Sequence, residues 1–110
     1  MEKLVDAGLV KNIGCSNIGV QLLRDVLSYA RHKPANLQVE IHPYLTQSRL
    51  VRYCRENGIS CTAYSSFGGG SYVEMGRAKE ADSCLTEQVI KDIAAAHNVT
   101  PAQVALRWGV

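Results

Sequence analysis

The chain has 110 residues, 46% of them apolar, which allows one small domain with a buried core and excludes a disordered chain. Twelve basic and ten acidic residues leave a net charge of +2, dispersed along the chain, so neither nucleic acid nor a membrane surface meets an electrostatic footprint. No apolar run approaches the roughly 20 residues that cross a bilayer, and Met1-Glu2-Lys3-Leu4-Val5-Asp6 lacks the basic-then-apolar pattern of a signal peptide.

Residues 2–7 read as the end of a helix stopped by Gly8. Val10 to Cys15 reads as a short strand ending in Ser16-Asn17. Gln21 to Arg31 follows as a helix, with Leu22, Leu23, Val26, Leu27 and Ala30 at helical spacing and Pro34 beyond its exit. Leu37-Gln38-Val39-Glu40-Ile41 is a second strand, closed by His42-Pro43. Gln47 to Asn57 is a helix, with Thr46 as its expected N-cap and Gly58 as its stop. Ile59 to Tyr64 is the third strand.

A long loop is expected from Ser65 to about Leu85, opening with Phe67-Gly68-Gly69-Gly70-Ser71. Thr86 is the expected cap of a helix running through Ala96. Thr100-Pro101-Ala102-Gln103 opens another, with Thr as N-cap, Pro at the first helical position and Gln completing a capping box.

Strands alternating with helices of about ten residues predict βαβ units and a parallel sheet. Three parallel strands are a poor finished fold, because such sheets want both faces covered and their edges template further pairing. The expectation is a segment of a larger α/β barrel or open sheet, able to self-associate through open strand edges.

Four cysteines, at 15, 54, 61 and 84, make no Cys-x-x-Cys pair. In an α/β pattern they read as reduced thiols, which predicts a cytoplasmic protein. Cys54, Cys61 and His42 lack the paired spacing of a structural zinc site, and no metal is expected. The absence of GxGxxG and GxxxxGK[ST] sets aside a Rossmann fingerprint and a P-loop.

In α/β barrels active-site groups gather at the C-terminal ends of the strands. Here those ends carry Ser16-Asn17, then Gln38 with Glu40 and His42, then Tyr64-Ser65-Ser66. Two amides and a ring on one face suit a planar heteroaromatic amide, the amides meeting its carboxamide and the ring stacking on it. The same residues serve equally as a helix cap and a core aromatic. The glycine run reads both as a phosphate cradle and as a hinge. His42 reads as a positional or core histidine.

Four blocks, in order, resemble one family. Gly8-Leu9-Val10-Lys11-Asn12-Ile13-Gly14-Cys15-Ser16-Asn17 resembles a signature of the aldo-keto reductases. Leu37 to Gln47, Thr62 to Gly68 (in the form typical of fungal D-xylose reductases) and His97 to Trp108 resemble three further blocks. The resemblance covers essentially the whole chain. It implies strands five to seven of a (β/α)₈ barrel and their helices, with residues 1–110 forming a partial domain that lacks the N-terminal catalytic half and the last strand.

The resemblance further implies hydride transfer from NADPH, or from NADH, to an aldehyde or ketone, aldoses such as xylose included. Ser16, Asn17 and Gln38 would bind the nicotinamide carboxamide and Tyr64 would stack on the ring. Ser65, Phe67 and Gly68 would run along the pyrophosphate.

The family's catalytic Asp, Tyr, Lys and His lie on earlier strands, and no residue here stands in their motifs. No catalytic residue is therefore assigned. The chain alone is expected to be inactive and to bind cofactor weakly, since the Ile-Pro-Lys-Ser segment that grips the 2′-phosphate is also outside it. Ile18 replaces a usual aromatic, Cys15 a usual aliphatic, and Gly69 a frequent Pro. Met1 coincides with an internal Met of many relatives, which suits a truncated reading frame. The competing expectation, from a different class, is a non-catalytic binding or scaffolding module derived from the same barrel.

Overall fold

The structure is a computed structural model, which describes residues 1–69, 72–73, 75–79 and 82–110. Gly70 and Ser71, the end of the glycine run, lie outside the described residues. The chain forms two compact units, one of Met1–Val39 with Gln47–Thr62 and one of Glu40–Thr46 with Ala63–Val110.

In the first unit, α1 (Glu2–Asp6) ends at Gly8, whose φ of 69° lets its N–H return to the Val5 carbonyl at 2.9 Å. Strand β1 (Gly14–Ser16) pairs in parallel with β2 (Asn36–Glu40), matching Gly14 with Asn36, Cys15 with Leu37 and Ser16 with Gln38. The expected strand over 10–15 is thus shorter and shifted to 14–16. Gly14 permits the pairing, because a Cβ there would stand 2.7 Å from the Asn36 carbonyl oxygen. Helix α2 (Val20–Tyr29) connects these strands, and of its apolar stripe Leu23 is fully buried while Leu22 is 58% exposed.

Strand β2 buries Leu37 and Val39 on one face and leaves Gln38 on the other, the period-2 alternation of a pleated strand. Helix α3 (Ser48–Glu56) buries Leu50 and Cys54 and touches α2. Its N-cap is Gln47, in the left-handed conformation (φ 49°), where Thr46 was expected. A tight turn, with two backbone hydrogen bonds between His42 and Leu45, brings the chain in one residue later than the capping pattern suggests.

Strand β3 (Ser60–Tyr64) completes a sheet of order β1-β2-β3. Ser60 N–H donates to the Ala35 carbonyl (3.0 Å) and Ile41 N–H to the Tyr64 carbonyl (3.3 Å). These bonds advance in the same sense along both strands, so the pairing is parallel, as helical crossovers require. Strands β1 and β3 are the sheet's edges.

In the second unit, Cys84, Ile90 and Ala105 form a core, with Phe67, Leu85 and Val104 packed against it. A 3₁₀ turn over Cys84–Thr86 precedes α4 (Gln88–His97), whose N-cap is Glu87 and not the expected Thr86. Thr86 lies within the turn, where its hydroxyl donates to the Ser83 carbonyl at 2.7 Å, and the turn carries the chain one residue further before the helix begins. Helix α5 (Pro101–Trp108) opens with the expected capping box. Gln103 N–H donates to Thr100 Oγ1 (3.2 Å), and Thr100 N–H donates to Gln103 Oε1 (2.8 Å).

Candidate functional site

The strand-end residues of the first unit are brought together by register. Parallel partners point to the same side of a sheet, so Ser16 and Gln38 stand side by side, opposite the buried Leu37 and Val39. Asn17 follows with φ 55°, a conformation asparagine tolerates better than most residues. Its N–H donates to the Gln38 carbonyl at 3.0 Å, which closes the end of the ladder. One hydroxyl and two primary amides, all exposed, therefore share a short stretch of backbone. Together they can both donate to and accept from a carboxamide.

Tyr64, at the end of β3 in the second unit, is half-buried. Ser65 then adopts φ 49°, and its carbonyl accepts from Gly68 N–H at 2.8 Å. Non-glycine residues in this conformation cost about 1–3 kcal/mol, and such strain clusters at ligand clamps and switch regions. The Phe67 ring packs into the unit's core. Its carbonyl accepts from Cys84 N–H (3.1 Å) and from the Ser83 hydroxyl (3.3 Å). Gly68 forms an antiparallel bridge with Ser83 and has φ 74°. Phe67 and Gly68 thus build the neck of the loop, with these backbone groups engaged inside it.

Sequence reasoning missed a polar cluster beside that loop. Glu40 is a carboxylate held at both oxygens. Tyr72 Oη donates to Oε2 (3.0 Å), and His42 Nε2 lies 3.3 Å from Oε1. Hydrogen bonding to Glu40 raises the Tyr72 phenol above its ordinary pKa. His42 is 8% exposed, and among the described residues its Nδ1 is buried with no hydrogen-bond partner. The Tyr44 ring meets it edge-on, with centroids 6.1 Å apart and planes at 78°. Tyr44 Oη in turn donates to Glu87, which pushes its phenol up to about 12. Only the Glu-x-His spacing of residues 40–42 hinted at this cluster.

Elsewhere in the first unit, burial, together with a hydrogen bond to Cys61, pushes the Cys54 thiol up to about 12. Both cysteines are free thiols. A cavity of about 500 Å³ lies among Ile13, Cys15, Val26, Ala30, His32 and Pro34, and no candidate site residue lines it. Among the described residues no group of three His, Cys, Asp or Glu side chains could hold a metal ion, and no helix is long and apolar enough to cross a membrane.

The chain is 56% identical, over 98% of its length, to a protein of Emericella nidulans described as a probable NAD(P)H-dependent D-xylose reductase. It is 50% identical, over its whole length, to a 4-dihydromethyl-trisporate dehydrogenase of Mucor mucedo. The aldose reductase structure from Schistosoma japonicum superposes with a TM-score of 0.83 at 42% identity, covering 98% of this chain and 31% of that one. The chain spans about a third of the length of the curated relatives it matches, 34% and 35% in these two cases. Its βαβαβ unit is therefore part of a (β/α) barrel. With the profile of the Aldo/keto reductase family matching residues 1–110 throughout, the chain belongs to that family.

Proposed function

We propose that this chain is the nicotinamide-facing part of an NAD(P)H-dependent carbonyl reductase, cytoplasmic and acting on aldehydes or ketones such as aldoses. The observation that carries the reading is the pairing of Ser16 with Gln38, with Asn17 turned left-handed onto the Gln38 carbonyl. The names of the relatives, which include an NAD(P)H-dependent D-xylose reductase, support it. The donor set fits the group. A carboxamide offers two N–H donors and one acceptor, and a hydroxyl with two amides can satisfy all three. Tyr64 supplies a half-buried ring for stacking on the nicotinamide. Ser65, Phe67 and Gly68 line the path of the diphosphate.

When bound, the cofactor supplies the hydride. This chain's residues hold the carboxamide, fix which face of the ring is presented, and shield that face from water. Reduction also needs a proton donor aligned with the developing alkoxide. None of the tyrosines, lysines or histidines here stands in the family's catalytic motif. Residues 1–110 accordingly form a partial domain, inactive alone, that binds cofactor weakly for want of a 2′-phosphate grip. The edges of β1 and β3 allow it to self-associate. Light scattering would register that as a mass above the 12.0 kDa of one chain.

The test is a titration with NADPH followed by NMR. The side-chain amide resonances of Asn17 and Gln38 shift, Gln38→Ala removes the response, and the dissociation constant is weaker than micromolar. Shifts confined to the cavity residues Val26 and Ala30 would overturn the assignment. NADPH oxidation with xylose that scales with purified chain would overturn the inactivity.

A further inference from the structure

The turn from α3 into β3 brings two thiols together. The Asn57 and Ile59 N–H groups both donate to the Cys54 carbonyl, at 3.0 and 2.9 Å, and Gly58 between them has φ 69°. The chain therefore folds back on the end of the helix. In β3, Cys61 is half-buried between the exposed Ser60 and Thr62, so it is the inward-facing residue of the three. Cys54 has no exposed surface, and its thiol hydrogen-bonds Cys61. Both are free thiols, and both belong to the first unit. Sulfur atoms in hydrogen-bond contact need only a small side-chain adjustment to reach bonding distance. The other two cysteines are placed elsewhere. Cys15 is on β1, with β2 between it and β3, and Cys84 is in the core of the second unit.

We propose that Cys54 and Cys61 are a peroxide-sensitive pair that closes to a disulfide, with Cys61 the sulfur oxidised first and Cys54 the one that resolves it. The pair rests on the first unit alone and makes no use of the nicotinamide reading. Hydrogen peroxide is the oxidant. The Cys61 sulfur attacks one peroxide oxygen, the O–O bond breaks, and the departing hydroxide takes the thiol proton as water. The resulting sulfenic acid is then attacked by the Cys54 sulfur. The S–S bond forms, the S–O bond breaks, and the second hydroxide leaves as water with the Cys54 proton. Two thiols and one peroxide thus give one disulfide and two waters. The order follows from access. Cys61 reaches the surface, whereas burial hides Cys54 and holds its thiol up at about 12, with little thiolate to meet an oxidant from solution.

The test treats the folded, purified chain with limiting hydrogen peroxide, alkylates the remaining thiols and digests with trypsin. Cleavage after Arg52, Arg55 and Arg77 puts the two cysteines on separate peptides. The expected product joins residues 53–55 to residues 56–77, lighter than their sum by about 2 Da for the two hydrogens lost, and dithiothreitol separates them. The same treatment in urea gives a mixture that also links Cys15 and Cys84. In Cys54→Ser, Cys61 is captured as a sulfenic acid by dimedone, and in Cys61→Ser, Cys54 stays a free thiol. A folded chain that yields no 53–55/56–77 product overturns the pair, whether Cys61 remains a thiol or goes on to sulfinic acid. The same mixture from folded and unfolded chain overturns it too, because the native contact would then direct nothing. Dimedone capture of Cys54 in Cys61→Ser, without capture of Cys61 in Cys54→Ser, overturns the order.

Discussion

The two groups of candidate site residues are held by different physics. Ser16, Asn17 and Gln38 are set by a backbone ladder, in which register alone fixes which side chains are neighbours. Tyr64 to Gly68 lead into a loop whose form depends on individual tethers: the Phe67 ring in the core, Ser83 on the Phe67 carbonyl and Tyr72 on Glu40. A ladder shares its load among many equivalent bonds. A tethered loop concentrates it in a few side chains, so single substitutions can alter it without disturbing the rest of the fold. Segments that open locally are drawn from this less redundant class.

The sharpest way to break the comparison is through the ladder's own core. Leu37 has no exposed surface and stands on the face opposite Ser16 and Gln38. Leu37→Ala removes the packed side of β2 and leaves a cavity, at a cost of about 3 kcal/mol. Urea unfolding registers this as a lower midpoint, and the Asn17 and Gln38 amide resonances broaden with it. If the stability falls but those resonances are unaffected, register does not depend on packing of the opposite face.

Phe67→Ala is the matching experiment on the loop. The ring is half-buried, so the expected loss is smaller, about 2 kcal/mol for the apolar area returned to water. Exchange at Cys84 rises, because its N–H bonds to the Phe67 carbonyl. The Leu37 amide, in the ladder, keeps its protection. Equal loss of protection in both regions would show one cooperative element where two are described.

These two regions also differ in how much of them could be read from the chain. The strand expected over Leu37 to Ile41 is found as Asn36–Glu40, with Gln38 exposed between the buried Leu37 and Val39. The capping box at Thr100 and the stops at Gly8 and Gly58 rest on local chemistry and stand where expected. Local rules failed where a neighbouring turn took over the residue. Thr86 has the right chemistry for a cap, yet it is taken into the 3₁₀ turn over Cys84–Thr86, which leaves Glu87 at the cap position. Strand β1 begins at Gly14 because the close approach of Asn36 selects the glycine, a fact about another strand. Nothing periodic or local in the chain pairs Tyr72 with Glu40. Their bond is a product of tertiary structure.

Thr100→Ala tests local chemistry by itself. It removes the acceptor for Gln103 N–H at the start of α5 and costs about 1 kcal/mol. Thr100→Ser retains the acceptor and recovers most of that loss in urea unfolding. Failure of serine to do so would mean the methyl group, and not the cap, carries the effect.

The smallest expected effect concerns the attachment of α1. Asp6 accepts from Arg31 through both oxygens (2.7 and 3.3 Å) and lies 2.8 Å from His32 Nε2. The Arg31 hydrogen bonds, followed by that of His32, hold its carboxyl at about 2, below the ordinary 3.8. A group whose pKa is lowered on folding stabilises the folded state above its unfolded pKa and loses that contribution as pH falls towards the folded value. The contribution is therefore complete above about pH 4 and gone near pH 2, the window set by those two values. These groups are exposed, so salt screens them and the gain is modest. Urea midpoints measured from pH 5 to pH 2 in low salt should fall more steeply for the unaltered chain than for Asp6→Asn, and molar salt should narrow the gap. Parallel acid limbs in the two proteins would mean that the Asp6–Arg31 pair gives no net stability, and that the Glu2 carboxylate on the His32 N–H is the polar tie that holds α1.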